Sequence, residues 1–256
     1  STSFNFFADT SDVLIKNIES KLEGILIKNG NLQIKKDKEI NLKSEFNSEI
    51  KINNKNIIDY LPFFKNIDFI NKETVLNANL DNFLDVTFDE TFKITNYVYT
   101  NKGKLNDLSL KSDRPLKNFI LEKKFNYLYF KNSDFNSRYA SDKKNYVNAS
   151  GTYSLNNKSY HNFDLKNEFQ NKISNISLNF VFSEKIKIDV LNYKKEDLNL
   201  AEIFFNANIK SNFINLKELR YSEGKNLILI ESLKYEKNYI SSLKKIKIKT
   251  FAKDVL

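Results

Sequence analysis

The chain of 256 residues has no cysteine, methionine or tryptophan, a single histidine, two prolines and five glycines. Without cysteine there are no disulfides, no thiolate metal sites and no cysteine nucleophile. The same absence accords with an oxidising compartment, where stray thiols are avoided. The lack of methionine removes the initiator, so a processed chain or a piece of a longer one is expected. His161 alone cannot build a histidine metal site, and Ser159-Tyr160-His161-Asn162 supplies no motif for a Ser-His-Asp triad. An exposed strand or turn residue is expected there. No apolar run approaches the ~18–20 residues of a membrane-spanning helix, and no cationic-then-apolar leader is present. Scarce glycine argues against an outer-membrane barrel and leaves the turns to Asn, Asp and Lys, of which Asn best tolerates left-handed backbone. No phosphate-binding glycine loop or nucleophile elbow occurs.

What is present is globular in balance, 41% hydrophobic and 29% charged. The net charge of +9 is carried almost wholly by lysine, since Arg114, Arg138 and Arg220 are the only arginines. Readers of nucleic acid favour the planar arginine fork, so no nucleic-acid partner is expected. Abundant Lys, Asn, Ile, Phe and Tyr match what an A/T-rich coding sequence supplies, with the lysines on solvated faces.

The dominant pattern has period two. Between residues 40 and 52 the even positions are Ile40, Leu42, Ser44, Phe46, Ser48, Ile50 and Ile52, while no odd position is apolar. Successive strand side chains point to opposite faces, so this segment predicts one long strand with a dry and a wet side. Similar alternation runs through Leu76–Leu80, Val147–Leu155, Ile176–Phe182, Ile186–Val190 and Ile246–Ile248. Asn29-Gly30, between two apolar runs, is the strongest hairpin cue. Asn53-Asn54, Asn101-Lys102-Gly103, Asn156-Asn157 and Glu223-Gly224-Lys225 predict further turns, and short connections predict an antiparallel meander. Asp113-Arg114-Pro115 followed by Leu116, Phe119, Ile120 and Lys123 predicts a short helix with Pro in its first turn. Asn56–Phe64 could add a helical turn, and Ser11–Leu22 is expected to be extended.

Carboxylates cluster at Asp85, Asp89 and Glu90 and at Glu196 and Asp197, but without EF-hand spacing; solvated loops are expected. The basic run Leu243–Thr250 fits either contact with anionic headgroups or the wet face of an edge strand guarded by lysine. The 22 Phe and 13 Tyr lie mostly on the apolar phase, which favours core or groove lining over a nucleic-acid platform.

A sheet with one apolar face must cover it, and few helices are available. The predicted fold is all-β: a long curved antiparallel sheet, a meander with an open groove and one or two short helices, spanning 1–256 as a single β-rich domain. Phe46, Ile50, Leu178, Phe180, Ile188 and Ile248 are the expected lining of the groove. An elongated apolar ligand suits such a track: a sixteen-carbon chain gains roughly 13 kcal/mol at about 0.8 kcal/mol per buried methylene. A second sheet closing the face would instead give a sandwich, a structural or adhesive surface domain binding protein or glycan. A carbohydrate-active enzyme would need two inward carboxylates about 5–10 Å apart, and no pair is singled out. No catalytic, cofactor-binding or metal-ligating residue is nominated.

The stretch Leu22-Glu23-Gly24-Ile25-Leu26-Ile27-Lys28-Asn29-Gly30-Asn31-Leu32 resembles the G-x-L…G-x-L hairpins of the AsmA-like family. Leu216–Ile230 is similar to segments of its YhdP-type, DUF3971-containing members, with lesser likeness at Gly151–Asn156 and Leu191–Lys195; TamB-type proteins belong to the same family. Glycine is scarcer here than in that family, and its N-terminal membrane helix is absent from this sequence. The resemblance implies a non-enzymatic segment of a periplasmic protein anchored in the inner membrane. Its taco-shaped β-groove would shield phospholipid acyl chains between the inner and outer membranes. The implied partners are phospholipid or another acyl-chain ligand and the parent's inner-membrane anchor, with no cofactor.

Overall fold

The computed structural model describes residues 1–53, 74–116, 125–141, 145–196 and 199–251. The strands are β1 (Thr2–Ala8), β2 (Asp12–Leu22), β3 (Ile25–Lys36), β4 (Ile40–Asn53), β5 (Val75–Phe88), β6 (Ile94–Leu116), β7 (Phe125–Ala140) and β8 (Asn145–Ser154). They continue with β9 (His161–Gln170), β10 (Ile173–Phe182), β11 (Ile186–Ile188), β12 (Tyr193–Lys195), β13 (Ala201–Lys210), β14 (Phe213–Glu223), β15 (Asn226–Glu236) and β16 (Tyr239–Lys249). Fourteen of them form one antiparallel sheet in sequence order, a meander that does not close into a barrel. β11 and β12 leave this order and pair only with each other. The expected all-β meander is therefore what the chain adopts.

The chain divides into two compact units, Ser1–Lys111 with Tyr129–Ala149, and Ser112–Leu128 with Ser150–Leu256. In the first, Ile52, Leu76 and Ala78 form a buried cluster against which Ile25, Ile50 and Leu105 pack. In the second, Phe182, Ile186, Tyr193, Ala201 and Tyr221 are buried together.

The thirteen-residue alternation of 40–52 lies within the single strand β4, whose even positions are all at least half-buried. Ser11–Leu22 is extended from Asp12, as expected. Turns form at Asn156-Asn157, where Asn157 has φ 57°, and at Gly224-Lys225.

Two turn expectations are corrected. Asn29-Gly30 lies inside β3, and the reversal falls at Glu23-Gly24 instead, where Gly24 takes φ 75°. Asn29 is left-handed (φ 52°) because the β3–β4 register shifts between Lys28 and Asn31: the Asn-Gly pair makes a bulge. Likewise Asn101-Lys102-Gly103 lies within β6. There glycine serves close approach, since a Cβ on Gly103 would stand 2.0 Å from the Asn79 carbonyl oxygen. The turn at Asn53-Asn54 and the helical turn at Asn56–Phe64 fall outside the described residues, apart from Asn53, which ends β4.

The helix predicted from Asp113 is also corrected. Residues 113–116 continue β6, in keeping with the bias of a residue before proline, here Arg114, toward extended backbone. Residues 117–124 lie outside the described set. Among the described residues the helical content is one 3-10 turn, Asp189–Leu191, which cuts the strand expected over Ile186–Val190 to three residues.

Replacing Gly103 by Ala should destabilise the fold by about 2 kcal/mol, because backbone must move. Gly224→Asn should stay within about 0.5 kcal/mol, its Cβ meeting open space and Asn tolerating positive φ. Urea denaturation of both variants checks this; equal midpoints would contradict it.

Candidate functional site

Antiparallel register sets side chains directly opposite one another on a common face. In the second unit this builds apolar rows across the sheet. Phe163, Phe180, Ile203, Tyr221, Ile228 and Ile248 stand opposite one another in succession from β9 to β16. The next row is Leu165, Leu178, Phe205, Leu219, Ile230 and Ile246. A third carries Ile176, Ala207, Leu216, Leu233 and Leu243. The opposite face carries Lys166, Ser177, Asn206, Glu218, Glu231 and Lys245 in one register line.

One end of this apolar face is covered by the segment 183–196. Ile188 and Leu191 from it pack against the buried cluster, together with Leu155, Phe180, Ile203 and Ile228. Lys195 anchors the segment. It is fully buried, and its Nζ donates to the carbonyl oxygens of Ser183 (2.6 Å), Glu184 (2.9 Å) and Glu196 (3.1 Å). All three ammonium protons are thereby satisfied, which is what makes a buried lysine tolerable. The ammonium also sits 5.8 Å from the centre of the Phe182 ring.

A second tie joins β12 to β14. Tyr193 and Tyr221 share a hydrogen bond of 2.6 Å, and the Tyr193 hydroxyl donates to Glu223. Asn199 and Asn226 donate to the same carboxylate at 3.0 and 2.9 Å. Burial pushes the Tyr221 phenol up to about 12. Desolvation raises the Glu223 carboxyl, but hydrogen bonds from Tyr193, Asn226 and Asn199 outweigh it and hold the group below its ordinary value. Tyr153 adds a third tie beside the cluster, donating to the Val181 carbonyl at 2.7 Å and meeting the Phe180 ring edge-on at 5.8 Å.

Beyond this cap the second row is only half-buried: Leu165, Leu178, Phe205, Leu219 and Ile230 are intermediate in exposure. At the edge strand β16 every residue is exposed, with Ile246 at 50% and Ile248 at 45%. The expected lining residues therefore separate. Phe180 and Ile188 belong to the capped end, Leu178 to the half-buried row and Ile248 to the exposed edge. Phe46 and Ile50 lie in the first unit, half-buried on β4, with Ile50 against the buried cluster there.

In the first unit the apolar face is crossed by a polar belt that sequence reasoning missed. Asn82, 6% exposed, stands opposite Phe46. Its amide nitrogen donates to Ser48 Oγ (3.0 Å) and to the carbonyl of Leu80 (3.1 Å), and its oxygen accepts from the Tyr99 hydroxyl (2.9 Å). The signal was available: Asn82 occupies an apolar-phase position of β5, in line with Leu76, Ala78 and Leu80.

His161 begins β9, half-buried, with its ring nitrogen 2.7 Å from Ser183 Oγ. Asp85 pairs with Lys43 at 3.3 Å, and Asp89 accepts backbone N–H bonds within its own turn. Glu196 pairs with Lys194 at 2.9 Å, while Asp197 falls outside the described residues. No group of three or more His, Cys, Asp or Glu able to hold a metal occurs among the described residues. No protein-family model matches the chain, and no curated protein shows significant similarity to it.

Lys195→Met should cost about 3 kcal/mol, because three buried carbonyls lose their donor. Limited proteolysis should then cut within 183–196 first; an unchanged cleavage pattern would show that the ammonium does not anchor the cap. Glu223 has a depressed pKa in the folded state, so its contribution is present above the ordinary glutamate value of 4.5 and lost as pH falls through the lower folded value. Amide exchange in 183–196 should therefore accelerate as the pH falls below the ordinary glutamate range and the Glu223 carboxylate takes up its proton. In Glu223→Gln that acid step should disappear, and its persistence would assign it elsewhere.

Proposed function

We propose that the chain is a non-enzymatic segment of a cell-envelope lipid-transport bridge. Its apolar strand face shields phospholipid acyl chains between the inner and outer membranes. It works in the periplasm as part of a parent chain anchored in the inner membrane, and it belongs with the AsmA-like proteins whose hairpins it resembles.

The observation that carries this reading is the half-buried apolar row of the second unit, from Leu165 and Leu178 to Leu219 and Ile230. Large aliphatic side chains held side by side and left partly exposed gain by covering one another's outer surface with hydrocarbon. An acyl chain leaving a bilayer needs a continuous replacement for its surroundings, at about 0.8 kcal/mol per methylene. Adjacent strands lie about 4.8 Å apart, so a row crossing six of them offers roughly 24 Å of track, longer than a sixteen-carbon chain. The mechanism is passive: strand side chains solvate the tails, and the headgroups stay in water.

Photo-crosslinking from position 178 in the parent protein, produced in its native envelope, should capture phospholipid. Crosslinking from position 177, on the opposite face, should not. Leu219→Asp should reduce lipid recovery from position 178 by about tenfold, as a charge in the row costs more than 1.4 kcal/mol. Equal lipid capture from both faces, or none from either, would remove the reading.

A further inference from the structure

The polar face of the first unit carries a feature that the acyl-chain reading neither uses nor needs. A shallow concavity of about 570 Å³ lies across β3, β4, β5 and β6; the intervening line Phe46–Asn82–Asn101 also borders it, and Asn136 and Tyr146 reach it from β7 and β8. Its floor follows two register lines, Asn31–Glu45–Phe83–Thr100 and Asn47–Asp81–Lys102.

Phe83 is out of place there. It sits on the polar phase of β5, between Asp81 and Asp85, and its direct cross-strand neighbours are Glu45 and Thr100. No apolar partner stands opposite it on either side, yet the ring is half-buried in the concavity. Around it are polar groups with unused capacity. Among the described residues Asn31, Glu45, Thr100 and Lys102 make no side-chain hydrogen bond or ion pair. Other groups are held ready: Asn29 donates to Asn47 at 3.1 Å, and Asn47 in turn donates to Asp81. That chain of amides fixes which oxygen and nitrogen atoms face outward.

We infer that this concavity binds an uncharged oligosaccharide. A sugar ring presents one C–H-rich face and a rim of hydroxyls that both donate and accept. An aromatic ring surrounded by amides and carboxylates complements both aspects, the ring by contact and the amides by paired donor and acceptor atoms. The lining excludes other classes. Glu45 and Asp81 against the single Lys102 disfavour phosphate and nucleic acid. Carboxylates and amides interleaved with the aromatic rings break any continuous apolar track for an acyl chain. The concavity is open and crosses several strands, which suits an internal stretch of a longer glycan.

Saturation-transfer NMR on the intact chain with chitohexaose, cellohexaose and maltohexaose tests the inference. At least one of these should bind saturably, with saturation reaching its ring C–H protons. Phe83→Leu keeps an apolar side chain but removes the aromatic face, and should weaken binding about fivefold. Thr100→Val, nearly isosteric, should weaken it as well. Leu219→Asp, on the apolar face of the other unit, should leave saccharide binding unchanged while lowering lipid capture from position 178, so the two readings fail separately. Absence of binding by all three hexasaccharides at millimolar concentration would overturn the inference, as would full affinity in Phe83→Leu.

Discussion

Register between neighbouring antiparallel strands is the constraint on which the other features rest. Side chains alternate faces, so a slip of one residue in any pair would send its apolar set to the polar side. The rows from Phe163 to Ile248 and from Leu165 to Ile246 exist because five successive pairings keep phase. Keeping phase has required compensation. β14 carries one extra residue relative to β13 at Lys217, and β15 answers with left-handed Ser232, so that Leu216 still faces Leu233. In the first unit Asn17 and Asn29 play the corresponding part in β2 and β3.

Those compensations decide what was legible in the sequence. β4 alternates without interruption, and β5 over Leu76–Leu80 and β10 over Ile176–Phe180 do the same, so these stretches could be placed from their residues alone. Where a bulge intervenes, the apolar spacing changes from two to three, as at Leu216 and Leu219 or Ile230 and Leu233. The strand then looks like two shorter ones. Asn is the residue of choice for left-handed backbone in turns and bulges alike, which is why Asn29-Gly30 pointed to a reversal that the chain makes at Gly24. The cap was hidden for a different reason. Ile186 and Ile188 alternate like any strand, and nothing local distinguishes a strand in the sheet from one laid over it. The buried role of Lys195 depends on the carbonyls of Ser183 and Glu184, a full turn of the segment away, which no local pattern encodes.

The two units treat their apolar faces differently. In the second, the cap gives one end the burial of an ordinary core and leaves the next row half covered, while Ala207 and Leu216 are buried in the row beyond it. In the first, the belt around Asn82 interrupts the apolar face with side chains whose hydrogen bonds are mutually satisfied. A satisfied amide on such a face is not penalised as an orphan would be, but it divides the hydrocarbon surface into two stretches.

The meander also governs how the chain is made. Each strand of the large sheet pairs with its sequence neighbours, apart from the skip over β11 and β12, so each pairing starts at one connection and zips away from it. Hairpins can therefore add to a growing edge in the order in which they leave the ribosome. Such a sheet is modular in the manner of repeat proteins: stability grows by nearest-neighbour increments, and a duplicated hairpin lengthens it without redesign of the rest. The same feature lets length vary over evolutionary time in steps of two strands, while register within each step stays intact.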